Sequence, residues 1–220
     1  MTRPAAVIFD CDGVLVDSEA VALAMIGDDL AKAGLPMALA EVERLFVGGT
    51  IAGAFATAQE MGASLPDDWV PDFYRRLYAV LAAGTPLIAG VEGVLDALDR
   101  AGIPFGVGSN GSQEKMQITL GQHPAVMARL QGRLFSGQDL GMLKPDPGLY
   151  LAVARALNAD PAHCVVIEDS VTGCIAARRA GMHCMGYAPH GDGAALAAEG
   201  AQVFHAMADL PGLLGLAQVG

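Results

Sequence analysis

The sequence has little positive charge and no long apolar run. Thirteen Lys and Arg residues face twenty-four Asp and Glu residues, which gives a net charge of -11 at pH 7. Such a charge repels nucleic acids and anionic membrane surfaces, so we expect neither as a partner. The longest apolar runs, such as VALAMI, are far shorter than the roughly 20 residues of a membrane span. The N-terminus MTRPAAVIFD enters a predicted strand at once instead of forming a signal sequence, and we expect a cytoplasmic protein.

Cysteine is scarce, and histidine has no pattern. The four cysteines lack the C-x-x-C spacing of zinc and redox sites: Cys11, Cys164, Cys174 and Cys184. The five histidines share no spacing that suits a metal. We therefore expect buried, free thiols in a reducing compartment, without disulfides or zinc.

Apolar runs of strand length alternate with stretches of helical period. The runs are Ala5 to Phe9, Ile103 to Gly108, Cys164 to Ile167 and His183 to Ala188. This alternation predicts an α/β fold with a doubly wound parallel sheet, a Rossmann-like core. Residues 18–85 show only helical periodicity, and the tail after Pro189 is predicted to form one or two closing helices. We predict a core of residues 1–17 and 86–220, with an all-helical domain of residues 18–85 inserted after the first strand.

Polar clusters follow three of the predicted strands: FDCDG, GSNGS and EDS. Ligand sites in parallel sheets form at the carboxyl ends of the strands, so these side chains should converge. They are Asp10, Asp12, Ser109, Asn110, Glu168 and Asp169. Four carboxylates in one crevice repel each other unless a cation neutralises them, and hard oxygen ligands favour Mg²⁺. Asp17 and Ser18 are interpreted as a turn and a helix cap.

Other polar residues are open to two interpretations. Lys144, in the segment GMLKPDPGLY, could reach the same crevice and bind phosphate, or it could be a solvated loop lysine. Ser109 and Asn110 could equally form a simple turn. Arg75 and Arg76 could contact a substrate anion or cover an exposed helix face.

The chain resembles the haloacid dehalogenase-like hydrolases. The resemblance rests on Asp10-x-Asp12-Gly-Val, Ser109 after a strand, Lys144 in LKPDP, and Glu168-Asp169 in IEDSVTG. The segments FDCDGVLVDSE and KPDPGLY are similar to the beta-phosphoglucomutase-like phosphatase branch. The resemblance covers essentially the whole chain, and it implies that residues 18–85 are a small helical cap domain.

The resemblance also implies the role of each site residue. Asp10 is expected to be the nucleophile and Asp12 the general acid and base. The expected Mg²⁺ ligands are Asp10, the Asp12 carbonyl and Asp169, with Glu168 orienting a metal-bound water. The Ser109 hydroxyl, the Asn110 backbone N–H and Lys144 are expected to hold the transferring phosphoryl group. Because the dehalogenating and phosphonate-cleaving relatives lack the second aspartate, the presence of Asp12 favours phosphate ester chemistry.

The expected function is hydrolysis of a small phosphorylated metabolite, a sugar phosphate or a similar monoester, by a monomeric Mg²⁺-dependent phosphatase through an aspartyl-phosphate. One alternative is a phosphosugar mutase. It is disfavoured because Ala22 and Ile51 occupy the positions of the histidine and arginine of the beta-phosphoglucomutases. A receiver-like phosphoacceptor module is the alternative from another class. It is disfavoured because the acceptor lies on the first strand and a large insert follows it.

Overall fold

The computed structural model describes residues 3–46 and 50–216, and it divides into two compact units. One unit contains residues 1–16 and 86–220, and the other contains residues 17–85. Residues 1–2 and 217–220 of the predicted core lie outside the described residues, as do residues 47–49 of the predicted helical insert.

The larger unit is built on one six-stranded parallel sheet. The strands are β1 (Ala6–Phe9), β2 (Phe105–Ser109), β3 (Leu134–Ser136), β4 (Cys164–Glu168), β5 (His183–Tyr187) and β6 (Gln202–Phe204). Their order is β3-β2-β1-β4-β5-β6, and every neighbouring pair is parallel. The first strand, β1, lies in the centre of the sheet, and the later strands are added outward to both edges through crossover connections. This order confirms the predicted doubly wound, Rossmann-like α/β fold.

Helices cover both faces of this sheet, so its central strands are buried on both sides. Side chains alternate along β1: Val7 and Phe9 belong to one hydrophobic layer, and Ala6 and Ile8 belong to the other. The helices of this unit are α5 (Val91–Ala101), α6 (Gln113–Leu120), α7 (Pro124–Leu130), α8 (Gly137–Leu140), α9 (Gly148–Ala156), α10 (Val171–Arg179), α11 (Ala194–Ala198) and α12 (Leu210–Leu213).

The smaller unit is helical throughout its described residues. It contains α1 (Glu19–Lys32), α2 (Leu39–Phe46), α3 (Ile51–Glu60) and α4 (Trp69–Ala83). None of the described helices of either unit combines the length and the apolar character that a membrane crossing requires.

Two edge strands and one cap differ from the sequence-based expectations. β3 and β6 have three residues each and are only partly buried, so neither produces a long apolar run. The tail after Pro189 therefore contains a strand as well as helices. Ser18 occupies the N-cap position of α1, but its side chain does not accept a capping hydrogen bond from the helix.

All four cysteines are buried and free, as predicted.

A buried carboxylate joins two helices of the smaller unit. Asp29 on α1 is 8% exposed, and it accepts hydrogen bonds from Trp69 Nε1 at 2.9 Å and Arg76 Nη2 at 2.6 Å. Burial alone would raise the pKa of Asp29, but the hydrogen bonds from Arg76 and Trp69 lower it below its usual value. Arg76 Nε also donates to Asp72 at 2.6 Å, whereas the Arg75 side chain contacts Asp72 and is 75% exposed. Arg76 is therefore engaged by carboxylates of its own unit.

The first prediction compares the two neighbouring arginines. Arg76→Met should lower the free energy of unfolding by about 1–3 kcal/mol, because it leaves the buried Asp29 carboxylate short of two charged hydrogen bonds. Arg75→Met, the matched control, should change it by less than about 0.5 kcal/mol, because an exposed ion pair contributes little. Urea unfolding followed by circular dichroism measures both, and equal losses would contradict the role assigned to Asp29.

Candidate active site

The loop after β1 directs Asp10 and Asp12 to the carboxyl edge of the sheet. The Asp10 N–H donates to Ile167 O of β4 at 2.9 Å, so Asp10 continues the strand pairing beyond β1. The chain then turns at Gly13, whose φ is 75°. A Cβ atom at Gly13 would lie 1.9 Å from Asp169 Oδ2, so only glycine allows the Asp169 side chain to lie against this turn.

Lys144 lies within the carboxylate cluster. Its Nζ is 2.7 Å from Asp10 Oδ1 and 2.6 Å from Glu168 Oε1, and its side chain is 3% exposed. The Asn110 side chain holds the loop that carries it: Lys144 N donates to Asn110 Oδ1 at 2.8 Å, and Asn110 Nδ2 donates to Lys144 O at 3.4 Å. A solvated loop lysine would be exposed, so that alternative does not describe Lys144. Its action on phosphate stays a prediction.

Glu168 is fully buried, and protein donors engage both of its oxygens. Oε1 accepts from Lys144 Nζ and from the Tyr150 hydroxyl, each at 2.6 Å. Oε2 accepts from Ser170 N and Ser170 Oγ, each at 2.8 Å. A Cβ atom at Gly173 would lie 1.8 Å from Glu168 Oε1, so the absence of a side chain there makes room for the carboxylate. The role expected for Glu168, orienting a metal-bound water, stays a prediction.

Tyr150 and Ser170 were not predicted as site residues from the sequence. Both belong to motif segments: Tyr150 ends KPDPGLY, and Ser170 follows Glu168-Asp169 directly. An apolar helical context around Tyr150 and a helix-capping position for Ser170 give no sign of a contact with Glu168. Ser170 does cap α10, since Gly173 N donates to its Oγ at 3.0 Å.

The charges of this cluster depend on each other. Burial would raise the pKa of Glu168, but Lys144, Tyr150 and Ser170 lower it below its usual value, so Glu168 is ionised. Burial would lower the pKa of Lys144, but Asp10 and Glu168 raise it above its usual value, so Lys144 is charged. Burial raises the pKa of Asp10 to about 7, with Glu168 and Asp12 adding to this effect and Lys144 opposing it.

Ser109 and Asp12 lie at the same edge of the sheet. Ser109 ends β2, is 2% exposed, and accepts a hydrogen bond from Gly111 N at 3.0 Å. Asp12 Oδ1 is 2.8 Å from Nζ of Lys115, a residue of α6 to which the sequence analysis gave no role. A single lysine outside the motifs gives no signal of its own, because its contact depends on where α6 begins.

The donor set fits a hard cation. Carboxylate oxygens of Asp10, Glu168 and Asp169 lie within 4.8 Å of one another. Lys144 Nζ, 2.7 Å from Asp10 Oδ1, is shared with Glu168 Oε1 and so balances only part of the cluster. A buried carboxylate that has a raised pKa and lies beside further carboxylates suits a cation, and all-oxygen ligands suit Mg²⁺.

A family model described as haloacid dehalogenase-like hydrolase matches residues 4–181. The chain belongs to this hydrolase family. The enzyme is 32% identical over 183 residues to 6-phosphogluconate phosphatase of Escherichia coli (strain K12), which covers 83% of this chain and 81% of that protein. Family membership and the phosphatase relatives identify the hydrolase as a phosphoric monoester hydrolase, as predicted.

Solved structures of the family have the same fold as this hydrolase. A family hydrolase from Deinococcus radiodurans R1, determined with bound phosphate and sodium, is 32% identical, with a TM-score of 0.85 and coverage of 100% of both chains. A Thermotoga maritima protein assigned as a beta-phosphoglucomutase is 26% identical, with a TM-score of 0.71 and coverage of 96% of this chain and 98% of that chain. The similarity to the second structure agrees with the predicted branch of the family.

The second prediction tests the anchoring of Lys144 by Glu168. In Glu168→Gln the amide NH₂ would face groups that donate hydrogen bonds, and Lys144 would lose a buried anionic partner. We expect the free energy of unfolding to fall by about 3–5 kcal/mol, the cost of breaking a buried ion pair. Glu199→Gln, which removes an ion pair with the exposed Arg178 side chain, is the control and should cost less than about 1 kcal/mol. Similar losses in urea unfolding would show that Glu168 contributes no more than a surface carboxylate.

Proposed function

We propose that the enzyme is a Mg²⁺-dependent phosphatase that hydrolyses a small phosphorylated metabolite, a sugar phosphate or a similar monoester, through an aspartyl-phosphate intermediate. The observation that carries this proposal is the position of Asp10, directly after the central strand and in contact with the buried Lys144 ammonium. A nucleophilic carboxylate beside a fixed positive charge is suited to attack on phosphorus.

Asp10 forms the bond to phosphorus, and the alkoxide of the ester leaves. This divides one displacement into two, because water then cleaves the acyl phosphate and restores the Asp10 carboxylate. Asp12 donates a proton to the leaving alkoxide in the first step and accepts one from the attacking water in the second. Asp12 is half-buried and lies two residues from the nucleophile, within the same loop.

Donors at the ends of β2 and of the loop before α9 stabilise the transferring phosphoryl group. These are the Ser109 hydroxyl, the Asn110 N–H and the Lys144 ammonium. Gly111 N donates to the Ser109 hydroxyl, and Asp10 and Glu168 hold the Lys144 ammonium in place. Asp10, Asp169 and the Asp12 carbonyl would hold the Mg²⁺, with Glu168 beside them. When bound, the cation neutralises the nucleophile and the phosphoryl oxygens, so that two anions can approach each other.

The relatives support a class of substrate. The 6-phosphogluconate phosphatase relative supports a small phosphorylated metabolite, and the phosphate bound in the Deinococcus radiodurans structure supports a phosphate site in this fold. We propose that residues 18–85 form the cap domain of the family and choose among substrates, and that the enzyme acts as a monomer. Phosphate release from a panel of phosphorylated metabolites identifies the substrate.

The third prediction concerns the nucleophile. Asp10→Asn keeps the side-chain volume but removes the attacking oxygen anion, so turnover of p-nitrophenyl phosphate should fall by more than about 1,000-fold. Asp99→Asn, at an exposed ion pair with Arg129, is the control and should keep wild-type activity. Retention of more than about a tenth of the activity in Asp10→Asn would exclude Asp10 as nucleophile. A phosphoacceptor module, the alternative class, would sustain no turnover even as wild type.

The fourth prediction concerns the metal. Exhaustive treatment with EDTA should abolish phosphate release, and added Mg²⁺ should restore it, because the carboxylate cluster repels a phosphate ester without a cation. Asp169→Asn should raise the Mg²⁺ concentration needed for half-maximal activity by about 10-fold or more. Full activity after EDTA treatment would contradict the metal requirement.

A further inference from the structure

Lys115 forms an ion pair with Asp12 at the carboxyl edge of the sheet. Its Nζ lies 2.8 Å from Asp12 Oδ1, and the two side chains are only 18% and 26% exposed. Both side chains of this pair are thus more shielded from water than those of the Arg44–Glu41 pair, which are 67% and 49% exposed. A partly buried charge pair restricts the conformations of both side chains more than a surface pair does.

The backbone of Lys115 is held on both sides. Lys115 N donates to the Ser112 side chain, which caps α6, at 3.1 Å, and Lys115 O accepts from Thr119 Oγ1 at 3.0 Å. The first turn of α6 therefore presents the lysine from a fixed position. A lysine in a flexible loop could contact Asp12 from many positions, whereas the backbone of Lys115 is held in a single position.

Gly111 brings Lys115, Asp12 and Ser109 together. A Cβ atom at Gly111 would lie 3.3 Å from Ser109 Oγ, 3.4 Å from Asp12 Oδ2 and 3.6 Å from Lys115 Cδ. Gly111 N also donates to Ser109 Oγ at 3.0 Å. The loop that fixes the predicted phosphate-binding hydroxyl thus also packs against the Asp12–Lys115 pair, so the pair belongs to the edge where chemistry is proposed.

We propose that Lys115 is a positioning residue for Asp12. It holds the carboxylate in the orientation from which Asp12 exchanges a proton with the leaving group and with water. The inference rests on the proposed function, in which Asp12 is the general acid and base. An acid gives its full contribution only when it is held within reach of the oxygen that it protonates, and misplacement by about 1 Å can cost 100-fold in rate.

Substrates with different leaving groups distinguish a residue that positions the general acid from one that only binds phosphate or stabilises the fold. Phenolate leaves much less readily than p-nitrophenolate, so hydrolysis of phenyl phosphate depends more on proton donation than hydrolysis of p-nitrophenyl phosphate does. A residue that only binds phosphate, or only stabilises the fold, affects both substrates equally. The ratio of kcat/KM for the two esters therefore reports on the acid, and kcat/KM reports on steps up to formation of the aspartyl-phosphate.

The experiment measures kcat/KM for both esters with Mg²⁺ in wild type, Lys115→Met, Lys115→Gln and Lys115→Arg. Lys115→Met should lose about 10- to 100-fold on phenyl phosphate and less than about threefold on p-nitrophenyl phosphate. Lys115→Gln should give the same pattern if Lys115→Met does not fold, and Lys115→Arg should recover most of the phenyl phosphate activity. Lys32→Met, which removes a lysine that pairs with Asp29, is the matched control and should leave both values unchanged.

A double-mutant cycle completes the test. In the Asp12→Asn background, Lys115→Met should change the phenyl phosphate rate by less than about twofold, because the residue through which it acts is gone. Equal losses on both esters, or a full loss in the Asp12→Asn background, would overturn the role of Lys115 while leaving the phosphatase intact. A wild-type enzyme that releases phosphate from neither ester would overturn the proposed function and this inference together.

Discussion

The arrangement of the carboxyl edge depends on the burial of Lys144 between two carboxylates. An ammonium group with a 3% exposed side chain is costly unless anions balance it, and here Asp10 and Glu168 both lie within 2.7 Å of its Nζ. Glu168 in turn is stable as a buried anion only because Tyr150 and Ser170 donate to it as well. One charge cannot be removed without leaving another unbalanced, so the site is fixed before any ligand binds.

The helical unit also contains a buried charge that is balanced by an opposite charge. Asp29 is buried between α1 and α4 and is neutralised by Arg76, with Trp69 satisfying the remaining hydrogen-bonding capacity of one oxygen. Asp29, Trp69 and Arg76 all belong to the helical unit, so their charges and hydrogen bonds are balanced within that unit. Asp10 contrasts with Asp29: its Lys144 partner is shared with Glu168, and Asp169 belongs to the same group of carboxylates. An excess of carboxylates over ammonium groups at a strand end suits a metal site, whereas a carboxylate paired as Asp29 is suits a structural role.

The sequence predicted the fold because the central strands are buried on both faces. β1, β2, β4 and most of β5 are apolar runs, so their type could be inferred, and the polar clusters after β1, β2 and β4 allowed the convergence of their carboxyl ends to be predicted. The short edge strands β3 and β6 have mixed burial and produced no such signal. The placement of Lys144 beside Asp10 was within reach of the pattern, because prolines flank it and it lies in a loop. The contacts of Tyr150 and Lys115 were not, because each depends on the rotation of a helix about its axis.

The two lysines at this edge also explain how an acidic protein can act on an anionic substrate. The chain carries a net charge of -11, so its overall field repels phosphate esters, and it contains only three lysines. Two of them, Lys115 and Lys144, contact the carboxylates of this edge. Four carboxylates and two ammonium groups leave an excess of two carboxylates there. Burial raises the pKa of Asp10 to about 7, and the neighbouring Glu168 and Asp12 carboxylates add to this effect. One divalent cation would cancel the excess, leaving the donors of Ser109, Asn110 and Lys144 to attract a phosphate dianion. This charge balance supports the proposed requirement for Mg²⁺.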